Sequence, residues 1–293
     1  MRRRLVRAMV GTTIGLAAWA MTGPNAPLAS DQRGAVIRPQ RGGGQGRSAA
    51  PRGVRRGGPF ASETAGRIQQ RSYLFPDTNE TIEYAVFVSS KVDPQKPSPL
   101  VIALHGLGVP PATWLRLLSD AAQDAGYIVA APMGYDVRGW YGANGPTSGR
   151  KSPPNVGELS EKDVMNVLAL MRKEFTIDDR RIYLAGQSMG GAGALFLGIK
   201  HKDIWAAVAA SAPAIRSNLH GPDELEQATT MPMMLIHGDA DRAVPVEQTR
   251  RWVEKMKALK MTYTYREIRG GGHSDAIRIA ARDMFRFFDK HLK

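Results

Sequence analysis

Cysteine is absent from the 293-residue chain. That removes a disulfide framework, a thiolate nucleophile, cysteine metal ligands and a lipid-bearing cysteine from consideration. Acidic residues are nearly missing from the first sixty positions, which hold eleven arginines against one aspartate. The formal charge of +13 is therefore local. Residues 61–293 carry 29 basic and 26 acidic side chains, a balance that argues against a polyanion-binding protein and against a specific nucleic-acid partner. No aromatic residue interrupts positions 31–59, so their Arg-Gly runs lack the stacking platforms that single-stranded nucleic acid uses. The apolar stretch Ala8–Met21 falls short of the about 20 residues that span a bilayer.

What is present at the N-terminus has the layout of an export signal. Arg2, Arg3, Arg4 and Arg7 precede the short apolar stretch, and small residues follow, with Ala18-Trp19-Ala20 and Leu28-Ala29-Ser30 as cleavage sites. Residues 1–30 are expected to be a bacterial signal peptide, directing the protein to the periplasm or the medium. Residues 31–64, rich in Gly, Arg, Pro and Gln, bury too little apolar surface to offset their ordering entropy. They read as a spacer whose charge suits contact with anionic cell-surface material. A hydrophobic content of 43% leaves ample material for a core in the remaining domain, residues 65–293.

That domain alternates strand and helix patterns. Arg71–Phe75 and Ile82–Val88 flank turn residues Pro76–Glu80, an antiparallel edge pair. Leu100–Leu104, Tyr127–Pro132, Ile182–Ala185, Ala206–Ala210 and Met233–Gly238 are short apolar runs, as in strands buried on both faces of a parallel sheet. Helices are expected over Thr113–Gln123, from Ser160 (with Asp163 completing a variant capping box), after Gly190, over Val246–Leu259 and over Ser274–His291. The fold class is α/β, a mainly parallel central sheet with helices on both faces and an antiparallel N-terminal edge.

Gly186-Gln187-Ser188-Met189-Gly190 stands between a strand and a helix and matches G-x-S-x-G. A serine on so sharp a turn projects its hydroxyl out of the sheet. Hydroxyl attack needs a base, the base needs an orienting acid, and the oxyanion needs donors. Downstream the chain offers Asp239 and Asp241 as acids, then His273 on the glycine loop Gly270-Gly271-Gly272, in the order Ser, Asp, His. The Met189 amide follows the nucleophile directly and is one oxyanion donor. No metal or organic cofactor is called for. The long segment Gly134–Asn155 carries Trp140 and Tyr141, which either line a substrate pocket or pin the loop.

His237-Gly238, Asp241 and Val244-Pro245 resemble the H-G-x-x-D-x-x-V-P of the α/β-hydrolase superfamily, a likeness that places the acid at Asp241. His105-Gly106-Leu107-Gly108 resembles the H-G-x-G of related esterases and implies the Leu107 amide as the second oxyanion donor. The runs Leu100–Gly108 and Gly126–Pro132, with Ile177–Tyr183 and Ser211-Ala212-Pro213, are similar to polyhydroxybutyrate depolymerases and feruloyl esterases, and to prolyl-oligopeptidase-type domains. The resemblance implies an α/β-hydrolase fold and ester cleavage through an acyl-enzyme. A peptidase of the prolyl-oligopeptidase type, or a non-catalytic binding protein on the same fold, are the other readings.

Overall fold

The computed structural model describes residues 64–144 and 153–293. The predicted export signal, the spacer apart from Thr64, and residues 145–152 of the long loop lie outside them.

The chain enters through a hairpin of β1 (Ile68–Phe75) and β2 (Glu80–Val88). Phe75 pairs with Glu80 across the turn, and Asn79 takes the left-handed conformation there at φ 58°. Asparagine tolerates this because its short polar side chain lowers the penalty. β2 then pairs antiparallel with β4 (Ile128–Pro132). From β4 onward the sheet is parallel, through β3 (Ser98–Leu104), β5 (Ile177–Gln187), β6 (Ala207–Ser211), β7 (Met233–Gly238) and β8 (Tyr263–Ile268). The order across the eight strands is β1-β2-β4-β3-β5-β6-β7-β8.

The apolar runs are continuous because both faces are covered. Leu100, Ile102 and Leu104 of β3 point into one core, shared with α3 (Val156–Glu174), α4 (Met189–Lys200) and α5 (Val246–Ala258). Val101 and Ala103 point into the other, built on α1 (Pro111–Leu115), α2 (Ser119–Ala125) and α6 (Asp275–Phe288). The alternation is the two-residue period of a strand.

Two helix boundaries differ from expectation. The helix read over Thr113–Gln123 is two pieces, α1 and α2, with α2 closed by Gly126 in the left-handed conformation at φ 80°. α3 begins at Val156, so Ser160 and Asp163 lie inside the helix, fully buried, and form no capping box. Their polar groups serve a neighbouring loop instead.

The strand order also fixes where a site can form. β3 has β4 on one side and β5 on the other, so successive connections leave in opposite directions. Such a reversal puts the usual ligand position of an open α/β sheet at the carboxyl ends of β3 and β5.

Candidate active site

Ser188 stands at those carboxyl ends, between the end of β5 and the start of α4. Its backbone is at φ 58°, ψ −116°, a sparsely populated region for a side-chain-bearing residue and a cost of about 1–3 kcal/mol. The surroundings hold it there. Its N–H donates to Ser211 O at 2.9 Å, and its carbonyl accepts from Ala192 N and Ala214 N, both at 3.0 Å. The flanking glycines answer to close backbone approach. A Cβ on Gly186 would sit 2.0 Å from Gly190 O, and one on Gly190 would sit 2.1 Å from Leu104 O. The first turn of α4 aims its amides and the positive end of its dipole at the same point.

The H-G-x-G loop lies against Ser188: a Cβ on Gly106 would be 3.7 Å from Ser188 Cβ. Val109 N donates to Gly106 O and Gly108 N to Val137 O, which closes the turn. The amides of Leu107 and Met189 bond to no acceptor among the described residues. His105 is buried, with Nε2 2.8 Å from Met133 O and Nδ1 2.9 Å from Gly106 O. Burial holds its pKa below the ordinary histidine value, so it is a neutral brace for the turn.

Tyr141 has no exposed surface and therefore touches no pocket. Its hydroxyl accepts from the His105 amide at 3.0 Å, and its own amide donates to Ser160 Oγ at 2.9 Å. Three residues along α3, Asp163 accepts from Gly134 N at 2.6 Å, Tyr135 N at 3.2 Å and the Tyr73 hydroxyl at 2.5 Å. Burial raises the Asp163 carboxyl to about 6, against the lowering effect of these donors. Thus Ser160 and Asp163 fasten the loop, and Tyr141 fastens the H-G turn. Trp140 is half-buried, with the Arg216 guanidinium 5.6 Å from its ring centroid.

On the far side of Ser188, His273 Nδ1–H donates to Asp241 Oδ2 at 2.7 Å. The Asp241 side chain is fully buried. Its Oδ1 accepts from Ala243 N at 2.8 Å and Val244 N at 2.9 Å. Burial works to raise this carboxyl, but the Val244 amide, His273 and the Ala243 amide outweigh it and hold it below its usual value. His237 Nε2 lies 3.2 Å from Asp241 Oδ2 and 3.1 Å from Val244 O, while Thr249 Oγ1 is 2.7 Å from its Nδ1. Burial keeps His237 below the usual histidine pKa, and so neutral. Asp239 is elsewhere: it accepts from Gly270 N at 2.6 Å and ties the end of β7 to the loop after β8.

The structure thus brings His273 onto Asp241, and lays the H-G loop beside Ser188. Gln187 Nε2 donates to His273 O at 3.1 Å, joining the histidine loop to the elbow. The Ser188 hydroxyl makes no hydrogen bond among the described residues; such links are often loose before substrate binds. Sequence reading missed Gln187, Thr249, Ser160 and Asp163. Only the polar character of Ser160 and Asp163 on an otherwise apolar helix face offered a signal.

Residues 84–292 match the profile of the Phospholipase/Carboxylesterase family. Among curated proteins, the chain is 26% identical over 177 residues to the bifunctional acetylxylan esterase/xylanase XynS20E of Neocallimastix patriciarum, covering 59% of this chain and 23% of that protein. It is 28% identical over 222 residues to acyl-protein thioesterase 1 of Emericella nidulans, covering 67% of this chain and 91% of that protein. Among solved structures, an S-formylglutathione hydrolase from Agrobacterium tumefaciens superposes with a TM-score of 0.64 at 18% identity, over 77% of this chain and 95% of the other. A feruloyl esterase module from Clostridium thermocellum, complexed with sinapinate, gives 0.58 at 17%, over 82% and 92%. These structures share the fold. With its mostly parallel sheet, its antiparallel edge and helices on both faces, the chain belongs to the Phospholipase/Carboxylesterase family of α/β-hydrolases.

Proposed function

We propose that the protein is a serine carboxylic ester hydrolase using Ser188, His273 and Asp241. The observation that carries this reading is the 2.7 Å bond from His273 to the buried Asp241 carboxylate, on the same sheet edge as the strained Ser188 elbow. Asp241 fixes the ring with its proton on Nδ1, which leaves Nε2 to accept. Ser188 Oγ attacks the ester carbonyl as His273 takes its proton. The oxyanion is received by the Leu107 and Met189 amides. Collapse breaks the acyl–oxygen bond, and His273 returns the proton to the leaving alcohol. Water then repeats the sequence on the acyl-enzyme, releasing the acid and free Ser188.

The kinship to a thioesterase supports thioesters as a second substrate class, since the same steps apply with a sulfur leaving group. The basic and apolar N-terminus supports export, with the described domain as the working part. Ser188→Ala is expected to abolish hydrolysis of 4-nitrophenyl acetate while leaving the far-ultraviolet circular dichroism unchanged. Full activity in a folded Ser188→Ala protein overturns the mechanism.

A further inference from the structure

The loop after β6 and the first two turns of α5 enclose a cleft of about 230 Å³. It opens at the carboxyl edge of the sheet, as Ser188 does, and its wall starts at Ile215, next to the Ala214 amide that holds the Ser188 carbonyl. The volume is below the about 300–1,000 Å³ of sites that take a whole drug-sized ligand, so it fits one arm of an ester. Ile215, Trp252 and Pro222 give it an apolar lining.

Most of the charged groups around it are paired with one another. His220 lines the cleft but is bonded to Glu224 at 2.9 Å, and Glu224 also accepts from Gly221 N. On α5, Arg250 is bound to Glu247 and Glu267, and Lys255 to Asp223 and Glu226. Arg251, which faces the cleft, has no carboxylate within ion-pair distance among the described residues. Beside it, Gln248 Oε1 is buried with no hydrogen-bond partner there. The unpaired guanidinium over an apolar lining forms a receptor for a short chain ending in a carboxylate; the Gln248 oxygen is itself an acceptor and takes no part in binding that group. Arginine binds that group through two parallel hydrogen bonds.

Building on the esterase reading, we propose that this cleft is a specificity subsite for esters with one short apolar arm that ends in a carboxylate, with Arg251 reading the charge. The probes are 4-nitrophenyl hydrogen glutarate and 4-nitrophenyl methyl glutarate, which present the same chain with and without the charge. At low salt the wild-type protein is expected to favour the anion about tenfold in kcat/KM, mainly through KM, and less so as salt rises. Arg251→Gln brings the ratio close to one, and Arg251→Lys keeps part of it. Arg250→Gln, at a cation already tied to Glu247 and Glu267, keeps it. Equal turnover of both esters by the wild-type protein, or a preference that survives Arg251→Gln, overturns the subsite and leaves the esterase reading standing. Hydrolysis of neither ester overturns both.

Discussion

The two arms that the proposed mechanism brings to Ser188 are built from opposite materials. The proposed acid–base arm, after β7 and β8, uses ionisable side chains bonded directly to each other and to adjacent amides: Asp241 is bound by His273 and by the amides of Ala243 and Val244. The proposed oxyanion arm, after β3, presents bare backbone amides, and what fixes them is remote. Its anchor runs from His105 N to Tyr141, from Tyr141 to Ser160, and alongside to Asp163 on α3. One arm depends on direct bonds among a few side chains and amides, the other on a relay across three elements. The first should fail abruptly when a member is changed, the second by degrees.

The largest expected effect breaks the first arm. Asp241→Asn loses the charge and favours the wrong ring tautomer, and kcat should fall on the order of 10⁴-fold with little change in KM. Asp239→Ala should cost less than about threefold, since its bond to Gly270 N only shapes the turn. Steady-state kinetics on 4-nitrophenyl acetate separate the two; the reverse ranking would transfer the acid role to Asp239.

The next effect probes the root of the second arm through pH. Burial raises the Asp163 carboxyl from 3.8 to about 6 in the folded protein. The folded state therefore binds this proton more tightly than the unfolded chain does. Its contribution to stability is complete below about pH 4 and is lost as pH rises to about 6. A proton held that much more tightly is worth roughly 3 kcal/mol. Urea unfolding of wild type and Asp163→Asn across that window should differ in slope, the variant lacking this fall. Parallel pH dependences would mean that Asp163 is not the titrating group.

The smallest effect tests the relay itself. Tyr141→Phe keeps the ring packed against Gly193 and Gly134 but removes the acceptor for His105 N–H. Loss of one oxyanion donor outright costs about 10²–10³ in rate, so loosening its support should cost about tenfold, in kcat more than in KM. A Tyr141→Phe enzyme with unaltered kcat would show that the H-G turn stands without the relay.

The same contrast explains how much of the molecule could be read from its sequence. Strand positions, the parallel sheet and its antiparallel edge were legible, because burial on both faces leaves uninterrupted apolar runs such as Leu100–Leu104. Candidates Ser188, Asp241 and His273 were legible because their chemistry demands particular residue types in a particular order. The oxyanion support was not. A backbone amide leaves no mark on residue identity, and Tyr141 in a glycine-rich loop looks the same whether it lines a pocket or lies beneath one. Ser160 and Asp163 misled for a related reason. Their spacing fits a cap, yet bonding across space to Gly134, Tyr135 and Tyr141 uses the same atoms. α3 therefore starts four residues earlier, at Val156.

The left-handed backbone of Ser188 has an evolutionary side. Glycine at that position would relax the turn, and in doing so would delete the hydroxyl. Random drift towards a more robust fold and drift towards an inert protein then run along the same path at this codon. Under the proposed mechanism, then, the most relaxed turn and an active enzyme are mutually exclusive at this position.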